Sequence, residues 1–160
     1  MSEAASEGPG DRRMSAAEAV KKRKVVLVVE DNPDALELYA TSLREAGYQV
    51  VEAETSATAG DAVRALCPDV VVLDCRLPDG DGLNLLREWR ASGPPVAEIP
   101  VIILTASAHR QDVEAALLAG ADQFVPKPCP ANVLTLHVAR ALDKTRPSAR
   151  LRRVIPPSGC

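Results

Sequence analysis

Short aliphatic runs that end in a polar side chain constrain the fold of this sequence more than any other feature. The run VVVL at residues 70–73 ends at Asp74, between Pro68 and a loop rich in proline, glycine and aspartate at residues 78–82. A short run that is rich in β-branched residues is typical of a strand buried on both faces of a parallel sheet. Asp74 is therefore expected at the carboxyl end of a strand, which is the edge of an α/β sheet where ligands bind. Taken alone, Asp74 could equally cap the turn that follows it.

Similar runs recur along the chain, and segments with helical periodicity separate them. The predicted strands β1 to β5 cover residues 24–29, 48–53, 70–74, 99–105 and 122–125. The predicted helices α1 to α5 cover residues 33–46, 56–66, 83–89, 111–118 and 131–142. Strict alternation with short links predicts right-handed crossovers and a parallel sheet with helices on both faces. The predicted fold is an α/β three-layer sandwich of five βα units.

The composition indicates one domain with a tail at each end. The chain has 160 residues, of which 46% are hydrophobic and 2% aromatic, so aliphatic side chains must form nearly all of the core. Residues 1–23 are rich in serine, alanine, glutamate and glycine, and residues 145–160 contain four arginines and no acid. Both segments have too few large apolar groups to fold alone and are predicted to be flexible tails. The domain is predicted at residues 24–144.

Several functional classes are disfavoured. The net charge of −3 argues against a dedicated nucleic-acid binder, and no apolar run is long enough to cross a bilayer. The N-terminus has no signal-peptide pattern, so we expect a cytoplasmic protein that contacts neither nucleic acid nor membrane directly. The four cysteines form no CxxC pair and no zinc-binding spacing, and they are expected to be reduced thiols. Redox activity of Cys75 or Cys129 stays open, because both lie next to the residues discussed below.

Several strands are followed by chemically distinct side chains at one predicted edge. Glu30 and Asp31 follow β1, Asp74 ends β3, Thr105 ends β4, and Lys127 follows β5. Two carboxylates about 4 Å apart repel each other by roughly 4 kcal/mol at an effective dielectric near 20, so this cluster is expected to recruit a cation. Mg²⁺ fits because it accepts carboxylates and keeps room for phosphoryl oxygens. The set predicts phosphoryl transfer onto Asp74, although each residue alone also has a structural explanation.

Four segments resemble the receiver domain of two-component response regulators: VVLVVEDNPD, PDVVVLDCRLPDGDG, IPVIILTAS and FVPKP. The resemblance covers residues 24–144 and is to the stand-alone, chemotaxis-regulator-like type. It implies a flavodoxin-like (βα)5 fold with strand order 2-1-3-4-5. It also implies that Asp74 accepts a phosphoryl group from a phosphohistidine on a sensor histidine kinase or a histidine phosphotransfer protein. Such a protein is a binding switch that assists only its own phosphorylation and dephosphorylation, and is not otherwise an enzyme.

The resemblance assigns the metal site. It implies Mg²⁺, or Mn²⁺, held by Glu30 through water, by Asp31 and Asp74, and by the backbone carbonyl of Arg76. Lys127 is expected to pair with Asp74 or with an anion placed on it.

The resemblance also assigns a switch. Thr105 is expected to move towards the phosphoryl group, and Phe124 into the space that it leaves. Arg76 and Ser107 occupy positions that affect the lifetime of the phosphate, and the Lys127–Pro128 peptide is usually cis in the family.

The surface that reports the switch is expected on α4, β5 and α5. Its predicted members include Val113, Ala116, Phe124 and Val133. This surface would bind an unknown downstream protein or form a homodimer.

Two other functions remain open from the sequence. The first is a degenerate receiver that binds its partners without phosphorylation. The second is an aspartyl-phosphate hydrolase, a class that usually has a second acid two residues after the nucleophile, where this chain has Arg76.

Overall fold

The structure is a computed structural model that describes residues 23–143. Apart from Arg23, both predicted tails lie outside the described residues, as does the predicted boundary at residue 144. The strands of the main sheet are β1 (Val25–Val29), β2 (Gln49–Ala53), β3 (Val70–Asp74), β4 (Val101–Thr105) and β5 (Gln123–Pro126). The α-helices are α1 (Pro33–Glu45), α2 (Ser56–Leu66), α3 (Gly82–Arg90), α4 (Arg110–Ala119) and α5 (Ala131–Leu142).

The five strands form one parallel sheet in the order β2-β1-β3-β4-β5. This confirms the predicted flavodoxin-like fold and its strand order. Every residue of β3 and β4 is buried, as their unbroken aliphatic runs predict for strands covered on both faces. The order reverses between β1 and β3, so the ends of these two strands lie side by side at the switch point of the sheet.

Within residues 23–143 the core has two apolar clusters, which take alternate residues of the same strands. Leu27 and Leu73 belong to a cluster with residues of α2, α3 and α4, whereas Val28 and Val72 belong to one with residues of α1 and α5. The division follows from the two-residue period of a strand, which sends successive side chains to opposite faces. The sheet is therefore the middle of three layers.

Local sequence explains the ends of several helices. Pro33 is the first residue of α1, and the side chain of Asn32 accepts a hydrogen bond from the Ala35 N–H. Gly120 ends α4 with a φ of 109°, a left-handed conformation that favours glycine. The predicted bounds of β3, α2 and α5 match the observed ones, and those of the other elements differ by one or two residues at one or both ends.

The loop after β3 contains structure that was not predicted. Residues Arg76–Leu77 pair with Gly80–Asp81 as a short antiparallel hairpin. Between its strands, the Asp79 carboxylate accepts hydrogen bonds from the first backbone N–H groups of α2, at 2.7 and 3.0 Å.

A short 3-10 turn, Val96–Glu98, precedes β4, which starts at Val101 and not at the predicted residue 99. Within residues 23–143, no helix is both long and apolar enough to cross a membrane.

Candidate functional site

Three acids meet at the carboxyl ends of β1 and β3. Val29 pairs in register with Leu73, so Glu30 and Asp74 are the next residues on adjacent strands. One carboxylate oxygen from each of Glu30, Asp31 and Asp74 lies within 4.8 Å of the others. Glu30 and Asp74 are 1% and 6% exposed, whereas Asp31 is exposed. The structure therefore brings together the acids that the sequence placed at this edge.

The Lys127 side chain reaches this cluster from the loop after β5. Its Nζ lies 2.8 Å from Glu30 Oε1 and 3.1 Å from Asp74 Oδ2. Its backbone N–H donates to the Thr105 carbonyl at 2.6 Å, and the Lys127–Pro128 peptide is cis, as the resemblance implies. The predicted pairing with Asp74 is present, but the pairing with Glu30 was not predicted. One ammonium thus bridges two buried carboxylates.

Burial and this bridge together shift the pKa values of Glu30 and Lys127. Burial raises the pKa of Glu30, although hydrogen bonds from Lys127 and from the Asn32 N–H favour its charged form. Burial by itself would lower the pKa of Lys127, but the hydrogen bonds and charges of Glu30 and Asp74 outweigh it and raise that pKa. Lys127 is therefore charged at neutral pH. It offsets part of the repulsion between the acids.

The backbone around Asp74 leaves its carboxylate facing the cluster. Asp74 Oδ1 accepts a hydrogen bond from the Arg76 N–H at 3.1 Å, while Oδ2 faces Lys127. Gly82 donates its N–H to the Cys75 carbonyl at 2.8 Å, and a Cβ at Gly82 would overlap with the Asp74 carbonyl oxygen. Only glycine fits at position 82 without movement. The glycines in the sequence predicted this loop, but they did not predict the close approach of Gly82 to the Asp74 carbonyl oxygen.

A cavity of about 480 Å³ opens onto the cluster. Among the residues that line it are the five predicted at this edge and Arg76: Glu30, Asp31, Asp74, Thr105, Lys127 and Arg76. Three clustered carboxylates are hard oxygen donors of the kind that Mg²⁺ and Mn²⁺ prefer, so the donor set fits such an ion. Ligation by the Arg76 carbonyl stays a prediction, although Arg76 lines this cavity.

The predicted switch residues lie on adjacent strands: Thr105 ends β4, and Phe124 of β5 pairs in register with Ile103. Thr105 is 5% exposed, and its Oγ1 accepts a hydrogen bond from the Ser107 N–H at 3.1 Å. Among the described residues, its side chain has no hydrogen bond to Asp74. Phe124 is half-buried against the apolar cluster that contains Leu73. The position of Phe124 is compatible with packing alone and with a role in the switch, so the switch role stays a prediction.

One predicted member of the reporting surface is wrong. Ala116 is fully buried in the core under α4, so it cannot contribute to a surface. Val113, Phe124 and Val133 are half-buried and keep partial access to solvent. The sequence pattern of α4 did not show which of its small residues face inwards.

The cysteines near the site are free thiols in the structure. Burial raises the pKa of Cys75 and of Cys129, which disfavours the reactive thiolate. This argues against redox activity for both thiols.

Comparison with known proteins identifies the family. Residues 26–139 match the family model described as the response regulator receiver domain. The chain belongs to this family.

The receiver domain has relatives in several bacteria. It is 40% identical over 103 residues to the transcriptional regulatory protein PhoP of Escherichia coli, a match that covers 64% of this chain and 45% of PhoP. It is 38% identical over 120 residues to the probable transcriptional regulatory protein TcrX of Mycobacterium tuberculosis, covering 75% of this chain and 50% of TcrX. The chain thus spans about half the length of these relatives.

A solved structure supports the same family. The signal receiver domain of a histidine kinase from Syntrophus aciditrophicus aligns with a TM-score of 0.69 and 34% identity, over 78% of this chain and 94% of that one. The receiver domain described here therefore shares both sequence and fold with the receiver domain of a signal transduction histidine kinase.

Proposed function

We propose that this receiver domain accepts a phosphoryl group on Asp74 in a reaction that depends on Mg²⁺ or Mn²⁺, and that this modification switches its binding to other proteins. The observation that carries the proposal is the Asp74 carboxylate, which lies beside two further acids and 3.1 Å from the Lys127 ammonium, at the wall of an open cavity. These groups provide a nucleophile, a metal-binding oxygen set and a fixed positive charge.

The proposed step is a direct displacement at phosphorus. An oxygen of the Asp74 carboxylate forms a bond to the phosphorus of a phosphohistidine, and the P–N bond breaks with its electron pair passing to the imidazole nitrogen. The proton on the other ring nitrogen of the phosphohistidine stays there, so the leaving group is a neutral imidazole. The product is an acyl phosphate on Asp74 and a free histidine on the donor protein. A bound divalent ion would neutralise charge on the transferring oxygens. Lys127 supplies a second positive charge at the same place, and the Thr105 hydroxyl donates a hydrogen bond to a phosphoryl oxygen once the group is in place.

The donor that we propose is a sensor histidine kinase or a histidine phosphotransfer protein, and the target is a protein that distinguishes the two states. The reporting surface is proposed on α4, β5 and α5, which could alternatively form a homodimer. A cytoplasmic location and the absence of direct nucleic-acid binding stay predictions, the latter because PhoP and TcrX are named as transcriptional regulators.

Intact mass spectrometry after incubation with acetyl phosphate tests the proposal. With Mg²⁺, the wild-type chain is expected to gain one phosphoryl group, and both chelation of the metal and Asp74→Asn abolish the gain. Asp61→Asn is a matched control, because it removes an exposed carboxylate of α2 outside the site. A wild-type chain that gains nothing would instead support the degenerate receiver. An adduct that survives Asp74→Asn would mean a different acceptor.

The hydrolase alternative is disfavoured by Arg76, which is exposed at the mouth of the site where that class usually has a second acid. A hydrolase would release phosphate from a small phosphate ester over many turnovers. Release limited to the phosphate carried by Asp74 would reject it.

A pulldown then identifies the target. Beryllofluoride, which stands in for the phosphoryl group, is added to one of two samples of the chain. Proteins retained only with beryllofluoride are candidates for the switched partner, and identical sets from both samples would contradict the switching part of the proposal.

A further inference from the structure

A chain of hydrogen bonds connects the Thr105 hydroxyl to the first turn of α4. The Ser107 N–H donates to Thr105 Oγ1 at 3.1 Å, and the Ser107 hydroxyl in turn lies 2.5 Å from Asp112 Oδ2. Asp112 is the third residue of α4 and belongs to neither the acidic cluster nor the predicted site. Its carboxylate is therefore two hydrogen bonds away from the residue that we expect to contact a phosphoryl group.

The helices α4 and α1 each have an acid in the first turn, but they differ in their N-caps. His109, the N-cap of α4, makes no side-chain capping hydrogen bond, whereas Asn32 caps α1. Asp112 is the acid in the first turn of α4, where a negative charge interacts favourably with the helix dipole. The same carboxylate thus stabilises the helix start and holds Ser107.

The backbone of Thr105 is held by its neighbours, whereas its side chain borders open space. The Thr105 carbonyl accepts the Lys127 N–H at 2.6 Å, and Thr105 pairs with Pro126 in the sheet. The side chain borders two cavities: the one over the acidic cluster, and a second of about 360 Å³ that Ser107 and Asp112 also line. Rotation of the side chain towards Asp74 would break its hydrogen bond with the Ser107 N–H. The Asp112–Ser107 contact therefore favours the present position of the hydroxyl.

We infer that Asp112 is a positioning residue that, through Ser107, holds the Thr105 hydroxyl in its unphosphorylated position and so opposes the switch. The inference rests on the proposed function, since it needs Thr105 to contact a phosphoryl group on Asp74. Removing the Asp112 carboxylate destabilises the resting position more than the switched one. A ligand that binds the switched state then binds more tightly, because a smaller part of its binding free energy is used to change the conformation.

Titration of the full chain with beryllofluoride and Mg²⁺ tests the inference by calorimetry. Asp112→Ala is expected to tighten beryllofluoride binding by about threefold to tenfold, the range for loss of one ordinary hydrogen bond, because partial exposure to solvent screens the Asp112 charge. Asp112→Asn, which keeps an acceptor oxygen but no charge, gives a smaller gain. Ser107→Ala tightens binding like Asp112→Ala, and the double variant gains little beyond either single one.

Two controls separate positioning from a general effect on stability. Asp34→Ala removes the first-turn acid of α1, a helix that keeps its Asn32 cap, and leaves the affinity for beryllofluoride unchanged. Adding Asp112→Ala to Thr105→Val leaves the affinity for beryllofluoride as it is in Thr105→Val alone, because the hydroxyl through which Asp112 acts is gone. A purely structural role for Asp112 would lower the stability of the free and bound forms equally and leave the affinity as in the wild type.

The outcomes distinguish this inference from the proposed function. If the wild-type chain does not bind beryllofluoride with Mg²⁺, the proposed function is wrong and the inference falls with it. If the wild type binds, but Asp112→Ala and Ser107→Ala bind equally well or more weakly, only the inference is overturned. Equal tightening with and without the Thr105 hydroxyl would also overturn it.

Discussion

Replacing Lys127 with methionine removes the ammonium that bridges Glu30 and Asp74 while keeping most of the length of the side chain. Two buried carboxylates then face each other without that charge. We expect the metal-free protein to lose stability and to bind a divalent cation more tightly, because the cation takes over the role of the lost ammonium. Phosphoryl transfer to Asp74 should become slower, since that ammonium also faces the transferring group.

The structure sets the size of the stability loss. Carboxylate oxygens of Glu30 and Asp74 lie within 4.8 Å. At an effective dielectric near 20, two such charges repel by at least about 3.5 kcal/mol. Protonation of Glu30 limits the loss of stability. Neutralising a carboxyl whose ordinary pKa is 4.5 costs about 3.4 kcal/mol at pH 7, and the cost is smaller for Glu30 because its pKa is raised. Lys127 is 25% exposed, so solvent screens part of its charge, and we expect a net loss of about 2 kcal/mol.

Urea unfolding of metal-free protein at pH 7 measures this loss. Lys24→Met is the matched control, because Lys24 is an exposed lysine outside the acidic site. Titration with Mg²⁺ should show binding to Lys127→Met that is tighter by on the order of tenfold. Acetyl phosphate should react about a hundredfold more slowly, the usual effect of removing one group that stabilises transition-state charge.

A second substitution in the same variant tests whether charge repulsion causes the loss of stability. Adding Glu30→Gln to Lys127→Met removes one of the two facing charges and should restore most of the lost stability. If Lys127→Met were as stable as the wild type, or if its loss were the same with glutamine at position 30, the electrostatic account of the bridge would be refuted.

Three further predictions concern the loop after β3. Gly82→Ala should destabilise the fold by about 2 kcal/mol in urea unfolding, because the added Cβ overlaps the Asp74 carbonyl oxygen. Gly80→Ala is the control and should change stability far less, because its Cβ would meet Ser56 at an ordinary 3.7 Å. Similar losses of stability for both variants would contradict the packing argument. Hydrogen bonds from the start of α2 lower the pKa of Asp79, so its contribution to stability is present above pH 3.8 and is lost as the pH falls through its lower folded-state pKa. The stability difference between wild type and Asp79→Asn should accordingly shrink in acid, and a difference that is constant with pH would reject this role. Arg76→Asn should speed loss of phosphate from Asp74, since Arg76 and Asp74 line the same cavity. An unchanged decay rate would count against shielding by the Arg76 side chain.

Local pattern was sufficient to predict the layers of the fold and the edge that carries the site. The run before Asp74 is uniformly aliphatic, and a strand covered on both faces needs apolar side chains on both. Strict βα alternation allows few topologies, so Glu30 and Asp74 had to lie at the same edge of a parallel sheet. These features depend on the period of the side chains and on the direction of the strands, and both can be read from neighbouring residues.

The contacts that tune the site required the tertiary structure. The Glu30–Lys127 ion pair joins residues 97 positions apart, and the Asp79 cap on α2 joins residues 23 positions apart. Local pattern places Glu30 at a strand end and Asp79 in the loop after β3, but it does not show which distant group each acid contacts. Which acid is buried beside which cation depends on how the loops pack.

The sequence by itself therefore determined the type of fold, the strand ends and the chemical groups available there. Tertiary structure alone decided that Lys127 bridges two acids, that Ala116 is buried and that Asp112 reaches Thr105 through Ser107. The physical reason is that periodicity and chain direction act over a few residues, whereas a hydrogen bond or an ion pair depends on ångström distances between segments that only packing brings together.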